Sequence, residues 1–170
     1  MRLGFQRTYC DSTGDGLSGG LWFWCFMFYL SKYWEYLDTM ILVLKKSEVK
    51  LLHSWHHFSV VWDCFLFMRY NVTSCLVGVL WNTGIHTAMY FYYYLTSFGV
   101  KPSWGKNLTK IQMFQFLVGI LTFWPMTFYC WTDLKRWIPL FVIHNTIMVS
   151  FLYLFGNFFN VKYTDKKKRE

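Results

Sequence analysis

Charge is what this sequence has least of. Only 15 % of its 170 residues are Asp, Glu, Lys or Arg, against about 25 % in an ordinary soluble domain. Hydrophobic residues make up 55 % and aromatics 24 %, so too little polar surface remains to solvate a soluble helical bundle. The five cysteines (Cys10, Cys25, Cys64, Cys75, Cys130) include no C-x-x-C pair, which excludes a zinc ribbon or a thioredoxin-type site. No long-period repeat and no low-complexity stretch occurs. The polar, Gly/Ser-rich residues Met1 to Gly19 hold no apolar run after a basic start, so they do not form a signal peptide. The net charge of +8 is scattered over loops and a tail with no basic face, which argues against nucleic acid as a partner.

What is present is a set of apolar runs. Five approach the ~20 residues that cross a bilayer: roughly Gly20–Leu44, Leu51–Arg69, Cys75–Phe98, Leu108–Trp131 and Trp137–Val161. The expected fold class is all-α, a polytopic transmembrane helix bundle. Residues 1–19 form a tail, 20–161 the membrane domain and 162–170 a basic tail. Five spans put Lys45–Lys50, Lys101–Lys110 and the C-terminal tail on one side, with eleven basic residues against five on the other. Cytoplasmic loops carry that excess, so the C-terminus is expected in the cytosol and Met1 on the far side. Cys10 and Cys130 then share the non-cytosolic side, where a disulfide between them is expected. Cys25 and Cys64 read as small apolar fillers. Lys167 and Lys168, fourth and third from the end, look like a dilysine retrieval signal for the endoplasmic reticulum.

Polar residues inside these spans are costly and mark function. Three of the five histidines fall within His53-Ser54-Trp55-His56-His57, on one face of a helix. Lys32, Glu35 and Asp38 are spaced by threes, within about 120° of arc. An internal ion pair accounts for Lys32 with Glu35 but leaves Asp38-Thr39 over. Asn82, His86, Tyr90 and Tyr93 form a polar stripe on the third span. Thr109, Gln112 and Gln115 share a face of the fourth; interhelical hydrogen bonding explains them as well as a site does. His144-Asn145 on the fifth span reads as structural. Asp63 lies on the face of His56 but roughly 10 Å deeper, too far for a direct bond, and has no role in this reading. The topology brings the four clusters into the same halves of consecutive helices. Together they form a polar chamber open to the cytosol and closed by aromatics at the other end. Its substrate has a polar head and an apolar tail.

These motifs carry a resemblance. Lys32…Glu35…Asp38-Thr39 matches K-x-x-E-x-x-D-T, and His53…His56-His57 matches H-x-x-H-H. Asn82…His86…Met89-Tyr90…Tyr92-Tyr93 matches N-x-x-x-H-x-x-M-Y-x-Y-Y, and Thr109…Gln112…Gln115 matches T-x-x-Q-x-x-Q. In this order, from about Leu21 to the C-terminus, the sequence resembles the very-long-chain fatty acid elongases, the membrane 3-ketoacyl-CoA synthases of the endoplasmic reticulum. Members usually cross the membrane seven times around a narrow acyl-CoA tunnel. Against that pattern this chain reads as N-terminally shortened, without the two spans before the D-T helix.

The resemblance implies condensation of a long acyl-CoA with malonyl-CoA, releasing CO₂ and CoA, with no cofactor and no metal. It also implies membrane lipid as a neighbour, and the ketoacyl-CoA reductase, dehydratase and enoyl reductase of the elongation cycle as partners. No Cys nucleophile stands beside a His, but a neutral imidazole can attack a thioester itself, and imidazole with its free pKa of ~6.5 is mostly neutral in the cytosol. The expectation is that His56 takes the acyl chain. His53 or His57 would orient it or move its proton, with Asp38 fixing the tautomer. His86 with Asn82 would stabilise the enolate. Lys45, Lys46, Lys110 and Gln112 would hold CoA at the mouth. Lys32, Glu35, Thr39, Tyr90, Tyr93 and Gln115 complete the substrate-binding set. Two alternatives stand beside it. One is a non-catalytic lipid-binding membrane protein. The other is a di-iron desaturase or hydroxylase, whose histidine boxes include H-x-x-H-H but which needs about eight ligands where this chain has five histidines.

Overall fold

The computed structural model describes Tyr9 and residues 16–130 and 134–164. Most of the expected N-terminal tail, including Cys10, and the basic tail beyond residue 164 lie outside them. The described residues form α1 (Gly19–Trp34), α2 (Tyr36–Leu44), α3 (Leu51–Tyr70), α4 (Cys75–Ser97), α5 (Gly105–Phe123), the short α6 (Met126–Tyr129) and α7 (Leu134–Phe159). A single π-helical turn, Asn160–Thr164, extends α7. The fold is all-α, as the apolar runs require.

Two of the expected spans are broken. The first divides at Glu35, where the turn tightens: the Asp38 N–H reaches the Glu35 carbonyl at 3.2 Å, three residues back instead of four. The Glu35 side chain is drawn inward there to the Lys32 ammonium. The fourth span divides before Pro125, which lacks an N–H and disfavours helix in the residue before it; α5 ends at Phe123 and α6 starts at Met126. Two stretches, Gly105–Tyr129 and Trp137–Thr164, are long and apolar enough to cross a membrane. The other helices carry the polar residues that face inward, which lowers their hydropathy without exposing charge to lipid.

The helices close into a ring. α1 packs on α3, α3 on α7, α7 on α5 and α5 on α4, with the α5–α7 seam the most extensive. Gly119 permits that seam: a Cβ there would stand 3.3 Å from Met148 Sδ. The ring closes between α1 and α4, its most sparsely packed join. Turns follow local chemistry. Gly99 (φ +80) ends α4, and Asn71 (φ 57) ends α3 in the left-handed region, its Oδ1 accepting the Leu17 N–H at 3.0 Å. Among the described residues, three apolar clusters fill the ring, the smallest of them Leu17, Cys25 and Cys75. Phe116, Ile147, Met148 and Phe151 lie at mid-height, and Val72, Phe123, Met126, Cys130, Trp137 and Leu140 seal the end away from His53, His56 and His57. Cys130 is disulfide-bonded; its expected partner Cys10 lies outside the described residues. Cys25, Cys64 and Cys75 are free.

Candidate active site

The four polar clusters meet in one chamber of about 860 Å³ at the histidine end of the ring. Its walls carry Asp38, His53, His56, His57, Asn82, His86, Tyr90, Tyr93, Thr109, Gln112 and Gln115. Spacing by three and four set these groups on one face of each helix, and the ring brought those faces together, with Tyr90 and Tyr93 left exposed.

Glu35, itself off the wall, is the hub. It is buried at 8 % exposure, and its Oε1 accepts a hydrogen bond from Lys32 Nζ at 2.6 Å. His86 Nδ1 stands 3.4 Å from the same oxygen, out of line for a hydrogen bond, and His57 Nδ1 stands 3.9 Å from Oε2. The Lys32 ammonium also donates to Asn82 Oδ1 at 2.7 Å and sits 4.2 Å from the Phe28 ring centre. The expected Lys32–Glu35 pair therefore exists and does more than neutralise itself: it clasps α1 to α4 at the sparse join. A second clasp follows on α2, where Tyr90 O–H donates to Asp38 Oδ2 at 2.8 Å.

Asp38 was expected to fix the tautomer of a box histidine; its hydrogen bond goes to Tyr90 instead, and the side chain bonded to the box is Thr39, which shares a 2.8 Å hydrogen bond with His53 Nε2. Adjacent positions on a helix point about 100° apart, so Asp38 is turned toward α4 and Thr39 toward α3. The three box histidines pack together, His53 against His57 with ring centres 4.4 Å apart and His56 against His57 at 5.3 Å. His56 faces His86 across the chamber at 6.2 Å, the rings 23° from parallel, and packs on Phe151 at 5.1 Å.

The lysines divide. Lys45 lines the chamber, whereas Lys46 and Lys110 are exposed off its wall. Lys50 and Lys162, which sequence reasoning did not single out, line it instead, near the ring of Phe158. Gln112 points its amide toward Met89 Sδ at 3.8 Å.

A narrower cavity of about 100 Å³ continues below, lined mostly by apolar side chains of α1, α3, α4, α5 and α7. It shares His56, Asn82, Gln115 and Phe116 with the chamber. Asp63, unexplained from sequence, lies on its wall and is buried against His144, whose Nδ1 is 3.0 Å from Oδ2 and 3.2 Å from Oδ1. His144 was expected to be structural; no local spacing links it to Asp63, 81 positions away. Intramembrane ionisable residues pair with one another, and that rule was the available signal. Asn145 does act within its own helix, bonding the Phe141 carbonyl at 2.8 Å. Among the described residues, no group of three His, Cys, Asp or Glu side chains has the geometry to hold a metal ion.

Comparison with known proteins decides the ancestry. The family model described as ELO: GNS1/SUR4 matches residues 1–170. The chain belongs to the ELO family. Fatty acid elongase sre1 of Dictyostelium discoideum is 36 % identical over 179 residues, covering 100 % of this chain and 64 % of the relative. Fatty acid elongase A of the same organism is 36 % identical over 126 residues, covering 74 % and 45 %. Long chain fatty acid elongase 2 of Caenorhabditis elegans is 29 % identical over 175 residues, covering 98 % and 63 %. The chain thus spans about half to two thirds of the length of these ELO relatives. No solved structure matches it. ELO membership and the apolar helices make this a membrane protein.

Proposed function

We propose that this chain condenses a long-chain acyl-CoA with malonyl-CoA to a 3-oxoacyl-CoA, releasing CO₂ and CoA. The observation that carries the reading is the position of His56, which lines both the polar chamber and the apolar cavity below it. A thioester joins a polar carrier to an apolar tail, so a nucleophile for it belongs at such a junction. The relatives named as fatty acid elongases support the same reaction class.

In this mechanism a neutral His56 nitrogen attacks the thioester carbonyl. The carbon–nitrogen bond forms, the carbon–sulfur bond breaks, and CoA leaves as the thiol with the imidazole proton. His57 and His86, each facing Glu35, pass that proton. Malonyl-CoA then loses CO₂, and its C2 attacks the acyl carbonyl; the carbon–carbon bond forms as the carbon–nitrogen bond breaks, and the departing imidazole nitrogen takes up a proton from solvent, which restores His56. With its Oδ1 held by Lys32, Asn82 has its amide nitrogen left to donate to the enolate oxygen beside His86. Thr39 fixes the His53 ring. Lys45, Lys50 and Lys162 meet the CoA phosphates. The excess of basic residues on one side supports a chamber mouth facing the cytosol, and the dilysine ending supports the endoplasmic reticulum as its membrane. The product passes to a ketoacyl-CoA reductase, and then to a dehydratase and an enoyl reductase.

The test is condensation alone: membranes holding the chain, a series of acyl-CoAs and labelled malonyl-CoA, with no NADPH. Labelled 3-oxoacyl-CoA that vanishes in His56→Ala, with an acyl adduct on the His56 peptide, supports the reading. Acyl-CoA binding without product overturns it and leaves a lipid-binding membrane protein.

A further inference from the structure

The Asp63–His144 pair has no part in the mechanism above, yet it stands in the wall of the apolar cavity. Asp63 is 5 % exposed and His144 4 %. A carboxylate only accepts, so His144 Nδ1–H donates to Asp63; in the neutral ring that this inference takes as its premise, Nε2 then carries a lone pair on the other side. Nε2 is buried and has no hydrogen-bond partner. It lies 3.8 Å from where a Cβ on Gly119 would stand, and His144 and Gly119 both line the cavity. Apolar rings hold the imidazole in place: Phe67 and Phe123 pack on it at tilted angles, ring centres 5.1 and 4.2 Å away, while the polar Ser74, Thr122 and Gln115 line other parts of the cavity.

A buried acceptor in an apolar tunnel is unfavourable against a plain hydrocarbon chain, because its solvation is lost and nothing replaces it. A chain carrying an O–H at that depth restores the bond; a ketone or a double bond brings no donor. Asp63 lies seven residues below His56, roughly 10 Å along the helix, which corresponds to the middle of a long acyl chain bound at His56. We propose that His144, oriented by Asp63, recognises a mid-chain hydroxyl, so that the substrate class of this site is a hydroxylated long-chain acyl-CoA. The inference rests on the reading of the lower cavity as the acyl site.

The experiment is equilibrium binding of stearoyl-CoA and its mid-chain monohydroxy isomers to the full chain in detergent, with condensation followed in parallel. One isomer is expected to bind about fivefold more tightly than stearoyl-CoA, the value of one added hydrogen bond. Removing His144 alone strands a buried carboxylate and threatens folding. The variant is therefore the Asp63→Leu/His144→Phe double, expected to bind stearoyl-CoA and to lose the preference. Equal binding of all isomers by the unaltered chain overturns the inference, as does a preference that survives in the double variant. A preference for one isomer without 3-oxoacyl product would sink the elongase reading and leave the role of the pair standing. Product without preference would sink the pair alone.

Discussion

Glu35 and Asp63 are both buried carboxylates facing imidazoles, but they keep different company. Glu35 is shared among Lys32, His57 and His86 beside the polar chamber, on a helix broken at that residue. Asp63 meets His144 in apolar surroundings, within an unbroken helix of 20 residues. Glu35 carries a lysine that neutralises it, and that lysine also holds α1 to α4 where apolar packing is sparse. Asp63 joins α3 to α7, a pair of helices that also packs through apolar side chains. The lesson is that the same chemical pair serves as chamber scaffold in one place and as a marker in a tunnel wall in the other. Surroundings decide which.

Breaking the hub should have the largest effect. Glu35→Ala leaves Lys32 buried without its partner and is expected to cost about 3–5 kcal/mol. Condensation should fall more than ~100-fold. Thermal unfolding of the detergent-solubilised protein and initial rates with labelled malonyl-CoA read the two separately. Asp63→Ala should cost less, about 1–3 kcal/mol for a buried group left unsatisfied, with turnover of a saturated acyl-CoA within about threefold of the parent. A loss of turnover as deep as that of Glu35→Ala would erase the distinction between the two carboxylates.

The comparison sharpens in the double variant Asp63→Leu/His144→Phe. Exchanging a buried pair for packed apolar groups is often neutral, so its midpoint should lie within about 1 kcal/mol of the parent, short of the sum of the two single losses. A lysine-to-methionine exchange at Lys32 together with Glu35→Leu should not recover in this way, because Asn82 loses its donor and the α1–α4 clasp goes with it. The smallest change is expected at the second clasp. Tyr90→Phe removes the bond to Asp38 at a half-exposed site and should cost about 0.5–1.5 kcal/mol, with less than tenfold change in rate. Thr39→Val, which frees His53, should match it in stability but lower the rate more.

The chamber was legible because its residues repeat at helical spacing. His53, His56 and His57 must share a face wherever the helix goes, and so must Asn82, His86 and Tyr90. Local periodicity reports facing, and membrane depth follows from counting turns. Partner choice does not. Asp38 and Thr39 are neighbours in sequence, and nothing in that stretch says that Asp38 turns to Tyr90 while Thr39 takes His53. Lys46 and Lys110 were as good candidates for the mouth as Lys50 and Lys162, since a loop lysine's reach depends on how its loop folds back.

Sequence alone determined that the chain is helical, that it belongs in a membrane, and which side chains face inward. Those follow from composition and from a 3.6-residue period, both properties of consecutive residues. Only the tertiary structure decided that α1 and α4 close the ring through Lys32 and Asn82, and that Asp63 meets a histidine 81 positions away. Each of those depends on which helices become neighbours and at what height, a choice made by the packing of the whole bundle and written in no single stretch of the chain.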